Sequence, residues 1–143
     1  MSDSSQSPKD SAPQSQRDPQ VRNILLVDDS EFERVIIRSA VEGLTNFRVC
    51  GEASNGAEGI KKAVELKPDL VVMDLAMPLM NGLEAATVIK NALPGVPIVL
   101  LTLYAEQIYG LKSATFGVTA VLSKFDGLVP LLRCVQSLLG STS

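Results

Sequence analysis

Five times along this chain a short apolar run gives way to an amphipathic segment of helical period, and that alternation restricts the fold more than any other feature. The predicted strands are Ile24–Val27, Arg48–Ala53, Leu70–Met73, Ile98–Leu101 and Ala120–Ser123, the second of them mixed in polarity. Three of them, the first, third and fourth, are continuously apolar, as strands buried on both faces are. Between them, Phe32, Val35, Ile36, Ser39 and Ala40 recur at helical spacing, with Gly43 predicted to stop that helix. Ser30 and Glu33 have the spacing of a capping box at its start. Asn55-Gly56 predicts a turn, followed by a helix over Ala57–Leu66 that Pro68 closes. Further helices are predicted over Gly82–Asn91, over Ala105–Thr115 with Gly117 behind it, and over Leu128–Leu139, where Pro130 fits the first turn. Strands alternating with helices require a parallel sheet covered on both faces, and right-handed crossovers wind it doubly. The expected fold is therefore an α/β sandwich: a doubly wound five-stranded parallel sheet with five helices.

Residues 1–20 stand apart. Serine, proline, glutamine and charge dominate them, and such a stretch has too little to bury to offset its own ordering entropy. They are expected to be a disordered polar tail, with one domain over residues 21–140. The 143-residue chain is 45% apolar, enough for a sizeable core. Its net charge of −3 lacks the basic excess of a nucleic-acid or membrane-surface binder. No apolar run approaches the roughly 20 residues of a membrane span, and the N-terminus lacks the apolar stretch of a signal peptide. A cytoplasmic location is expected, with no partner among nucleic acids or membranes. Cys50 and Cys134 are far apart and read as reduced thiols. The absence of histidine excludes histidine-based triads, histidine metal sites and phosphohistidine chemistry on this chain.

In an open parallel sheet, chemistry collects at the carboxyl ends of the strands. Those ends carry Asp28 and Asp29, then Asp74, Thr102 and Lys124. In the strand order 2-1-3-4-5, strands one and three are neighbours, which would bring the three aspartates together. Three converging carboxylates repel one another, and a hard divalent cation such as magnesium relieves that repulsion through oxygen ligands. An aspartate beside such an ion can attack phosphorus, while a lysine and a hydroxyl hold phosphoryl oxygens. Taken singly, each residue has an ordinary reading: an Asp after a strand is usually a turn or cap residue, and a lone Lys a solvated charge. The joint placement at several strand ends carries the functional reading.

The segments LLVDDSEFER, VVMDLAMPLMNGLEA, PIVLLT and VLSK resemble the receiver domain of bacterial response regulators, and the resemblance runs from about Arg22 to Leu139. It implies a flavodoxin-like sheet of order 2-1-3-4-5. It implies that Asp74 is the phosphoacceptor and that Asp28 and Asp29 help bind magnesium, Asp29 most directly, with manganese able to replace it. Asp74 and the backbone carbonyl of Ala76 complete the implied metal ligands, and Thr102 and Lys124 contact the phosphoryl group. It also implies a histidine kinase or phosphotransfer protein as donor, and a downstream protein docking on the face from the fourth helix to the fifth. Three positions depart from the usual pattern. Val121 stands where an aromatic reporter is common, which directs attention to Tyr104. Phe125 follows the lysine where proline is common, similar to receivers of LuxR-like regulators. Leu103 follows Thr102 where a small residue is usual, and can narrow access to the acceptor. Such a domain is a phosphoacceptor that promotes its own phosphorylation and dephosphorylation, not an enzyme on outside substrates. Other readings fit less well. An aspartate-nucleophile phosphohydrolase would want a second acid where Ala76 stands. A flavodoxin-like cofactor carrier would want a Ser/Thr/Gly-rich loop where Asp28 and Asp29 stand. A degenerate receiver, acting as a constitutive interaction module, would not need so complete a site.

Overall fold

In the computed structural model, which describes residues 21–109 and 116–140, strands and helices alternate in the predicted order. The strands are β1 (Asn23–Val27), β2 (Arg48–Ala53), β3 (Leu70–Met73), β4 (Ile98–Thr102) and β5 (Ala120–Ser123). The helices are α1 (Glu31–Leu44), α2 (Gly56–Leu66), α3 (Gly82–Ala92), α4 (Ala105–Tyr109) and α5 (Val129–Leu139). All strand pairings are parallel, and the sheet order is β2-β1-β3-β4-β5. The tail expected over residues 1–20 and the part of the fourth helix expected beyond Tyr109 up to Thr115 lie outside the described residues.

The continuous apolar runs fill two cores at once, because successive strand residues point to opposite faces. Leu25, Val27, Val71, Met73, Ile98 and Leu100 face one core with Ala63 of α2 and Leu83 and Ile89 of α3. Ile24, Leu26, Leu70, Val72, Val99 and Leu101 face the other, against Ile37 and Val41 of α1 and Leu131 and Val135 of α5. Most of these side chains are fully buried, each worth roughly 1.5–3 kcal/mol of removed apolar surface. The central strands are therefore the rigid part from which the site projects.

The helix ends differ in detail from the predicted ones. Helix α1 passes through Gly43 and stops at Thr45, whose extended backbone and hydroxyl turn back to the Val41 carbonyl. Asn55-Gly56 is a helix start instead of a turn: the Asn55 side chain accepts the Glu58 amide at 2.8 Å, and Gly56 opens α2. Lys67 ends that helix in the left-handed conformation, φ 48°, ahead of Pro68. Helix α3 carries a complete capping box, Asn81 with Glu84. A 3₁₀ turn, Lys124–Asp126, intervenes between β5 and α5.

Candidate functional site

Register brings the site together. Leu26 pairs with Val72 and Val27 with Met73, so the residues that follow, Asp28 and Asp74, leave the sheet side by side. The Asp74 amide donates to the Val27 carbonyl at 2.9 Å, and the Asp28 amide to the Ala53 carbonyl at 3.0 Å. One oxygen from each of Asp28, Asp29 and Asp74 lies within 4.8 Å of the others. Asp28 and Asp74 are buried, whereas Asp29 is exposed. Lys124 enters from β5, and its ammonium lies 2.9 Å from Asp28 Oδ2 and 3.5 Å from Asp74 Oδ2. These side chains line an open cavity of about 440 Å³ with Ser30, Glu33, Ala76, Leu103 and Tyr104.

Each predicted site residue lies at this end of the sheet, and the structure distinguishes their surroundings. Asp28 keeps the ordinary turn role as well as its place in the cluster. Its Oδ1 accepts the Ser30 amide at 2.9 Å while its Oδ2 accepts from Lys124. The Asp29 carboxylate is on the solvent side and open to an incoming ion. Thr102 is fully buried at the end of β4, and its hydroxyl accepts the Tyr104 amide at 3.2 Å. That bond ties the Thr102 side chain to the turn that begins α4.

Glu33 was legible only as a capping residue. Ser30 Oγ does accept the Glu33 amide at 3.2 Å. The return bond is not made by Glu33, because Asp28 has taken the Ser30 amide. The Glu33 carboxylate instead faces the cavity, 3.9 Å from the Lys124 ammonium. No local pattern would have shown this, since it depends on Lys124 arriving from the far end of the chain.

Electrostatics follow from burial and crowding. Burial raises the Asp74 carboxyl above the usual aspartate value, and the nearby Asp28 charge adds to this. Lys124 and the Ala76 amide act in the opposite direction without cancelling the rise. Burial also works against the Lys124 ammonium, but the bond to Asp28 and the charges of Asp74, Asp28 and Glu33 outweigh it, so its pKa is raised. One ammonium therefore serves two carboxylates of the trio, Asp28 and Asp74, and a third, Glu33, at the rim. Clustered hard oxygen donors with this excess of negative charge fit a magnesium-type ion. Neither Cys50 nor Cys134 is in a disulfide among the described residues.

The family model for the response regulator receiver domain matches residues 24–133. Response regulator protein VraR of Staphylococcus aureus is 41% identical over 101 residues, which are 71% of this chain and 48% of VraR. The chain thus spans about half the length of that relative. The structure of response regulator TrrA from Thermotoga maritima, in complex with Mg²⁺ and BeF, aligns with a TM-score of 0.74 and 29% identity. That alignment covers 82% of this chain and 98% of TrrA. A LuxR-family two-component response regulator from Aurantimonas sp. SI85-9A1 aligns with a TM-score of 0.78 at 28% identity, over 83% of this chain and 85% of the other. No helix among the described residues is long and apolar enough to cross a membrane.

Proposed function

Since this chain belongs to the response regulator receiver domain family, we propose that Asp74 is its phosphoacceptor and that phosphorylation there is passed to a protein partner as a change of conformation. The observation that carries the assignment is the setting of Asp74: buried at the end of the central strand, facing an open cavity, with an ammonium 3.5 Å away. A carboxylate oxygen of Asp74 attacks phosphorus, the bond from phosphorus to the donor breaks, and the donor leaves with that electron pair. Asp74 becomes an acyl phosphate. Lys124 can move its charge from Asp28 and Asp74 onto a phosphoryl oxygen, and the Thr102 hydroxyl can donate to another. Asp28 keeps Lys124 in place before transfer.

Asp29 and Asp74, with Asp28 beside them and the carbonyl of Ala76, are the residues that would hold magnesium, or manganese in its place. The similar TrrA carries magnesium with BeF, which supports that choice. When bound, the ion would neutralise charge on the transferring phosphoryl group. The donor we assign is a histidine kinase or phosphotransfer protein, in line with membership of the receiver family.

Output begins at Thr102. A hydroxyl turned toward the phosphoryl group gives up the Tyr104 amide, so the turn into α4 is released from the site. Val121 is β-branched, stiff at χ1 and packed against the core, so it makes a poor rotating reporter. Leu103 and Tyr104 then bias two existing conformations toward one. A partner would read this on the face from α4 to α5, where Leu103, Ala105, Phe125 and Asp126 line a second cavity of about 500 Å³.

Incubation with acetyl phosphate and magnesium should add one phosphoryl mass to the wild-type chain and none to Asp74→Asn. A variant modified to the wild-type level overturns the assignment. Amide NMR with beryllofluoride should move Leu103–Ile108; silence there, with changes only around Asp74, would leave storage or transfer of phosphate as the function.

A further inference from the structure

Resting on the reading that the acidic trio takes magnesium, the geometry assigns Arg34 as a positioning residue for the metal-binding end of the site. Arg34 touches neither the acceptor nor the cavity. Its Nη1 donates to the backbone carbonyl of Asp28 at 2.5 Å, and its Nε donates to Glu52 Oε1 at 2.9 Å. The guanidinium is mostly buried, with its side chain 15% exposed.

The carbonyl it holds belongs to the peptide joining Asp28 to Asp29. Peptide planarity means that fixing this oxygen also fixes the amide of Asp29 and narrows the directions its side chain can take. Asp29 is the exposed member of the trio, so it relies most on the backbone for its direction. The preceding peptide is held separately, by the Asp28 amide on the Ala53 carbonyl. Both peptides that flank Asp28 are thus referred to β2, the second one through Arg34 and Glu52.

Glu52 is itself well anchored. Arg38 Nη1 lies 2.5 Å from its Oε2, and Lys62 donates to its backbone carbonyl. The chain of contacts runs from β2 through Glu52 and Arg34 to the peptide that carries Asp29. The task suits arginine, whose planar fork offers separate donors to the carbonyl and the carboxylate; lysine has one nitrogen for both. Groups that orient metal ligands in this way typically contribute about 10–100-fold in metal affinity.

Calorimetric titration of magnesium into the full chain, paired with urea melts in EDTA, tests the assignment. Arg34→Ala should bind magnesium about 10-fold more weakly. Glu52→Gln keeps an acceptor for Arg34 Nε while losing the charge, so it should lower stability and leave magnesium affinity unchanged. Arg34→Lys keeps a cation beside Glu52 and guards against an unfolded Arg34→Ala; it should bind weakly while melting near the wild type. Wild-type affinity in Arg34→Lys and in a folded Arg34→Ala overturns the assignment, as does an equal loss of affinity in Glu52→Gln. A wild-type chain that takes no magnesium would instead overturn the metal reading on which it stands.

Discussion

Replacing Gly82 with alanine would place a methyl carbon 2.3 Å from the backbone oxygen of Asp74 and 3.0 Å from Leu75 Cα. Both neighbours are backbone, so no flexible side chain can make way. To reach ordinary contact the Asp74 carbonyl must retreat by about 1 Å, or the start of α3 must move by as much. Either shift strains the bond from the Gly82 amide to the Leu75 carbonyl, now 2.8 Å. Overpacking of this kind costs about 1–3 kcal/mol. Helix propensity returns at most about 1 kcal/mol, and less in the first turn. The expected net loss is about 1–2 kcal/mol, or about 3–8 °C in Tm for a domain of this size. Gly43 provides the control. It lies within α1, and a Cβ there would meet nothing within 4 Å, so Gly43→Ala should gain about 0.5–1 kcal/mol. Urea melts of both variants measure the two free energies, and phosphorylation by acetyl phosphate measures the site. A displacement of about 1 Å beside the acceptor should slow Gly82→Ala by about 10-fold or more even where it is fully folded. A Gly82→Ala protein as stable as Gly43→Ala, and phosphorylated at the wild-type rate, would refute the claim that backbone approach at Gly82 holds Asp74 in place.

Leu79 sits fully exposed at φ 71°, so Leu79→Gly should relieve left-handed strain and gain about 0.5–1 kcal/mol in urea melts, the flexibility of glycine in the unfolded chain offsetting part of it. Burial raises the Asp74 pKa in the folded state, so ionising Asp74 favours the unfolded chain. Metal-free stability should therefore fall as pH rises from the ordinary aspartate value through the raised one, and Asp74→Asn should lose that slope and be the more stable protein at neutral pH. Urea midpoints in EDTA across that range, compared between the two proteins, check the sign. Deleting residues 2–18 should leave the melting temperature unchanged, since that polar stretch has little to bury; a fall of several degrees would show that it packs on the domain.

What the sequence by itself determined was the fold and the cast of the site. Apolar runs at strand length and helical periodicity are local consequences of burial, so β1, β3 and β4 could be read from Ile24–Val27, Leu70–Met73 and Ile98–Leu101, while the sheet order came from the family resemblance. The aspartates, Thr102 and Lys124 were visible because a parallel sheet brings its strand ends to one edge. The tertiary structure decided how these groups share their partners. Asp28 takes the Ser30 amide, which sends Glu33 toward Lys124, and no spacing rule contains that competition. Asn55 and Thr45 set helix ends where Gly56 and Gly43 suggested others, because a satisfied cap outweighs the weak preference of a glycine. Nothing in the local sequence sets Arg34 apart from the other charges on α1. Only β2, folded against that helix, brings Glu52 to it and directs its second nitrogen to the Asp28 carbonyl. Periodicity reports which face of an element is buried. Which donor meets which acceptor depends on distances between elements, and those are fixed only when the elements pack.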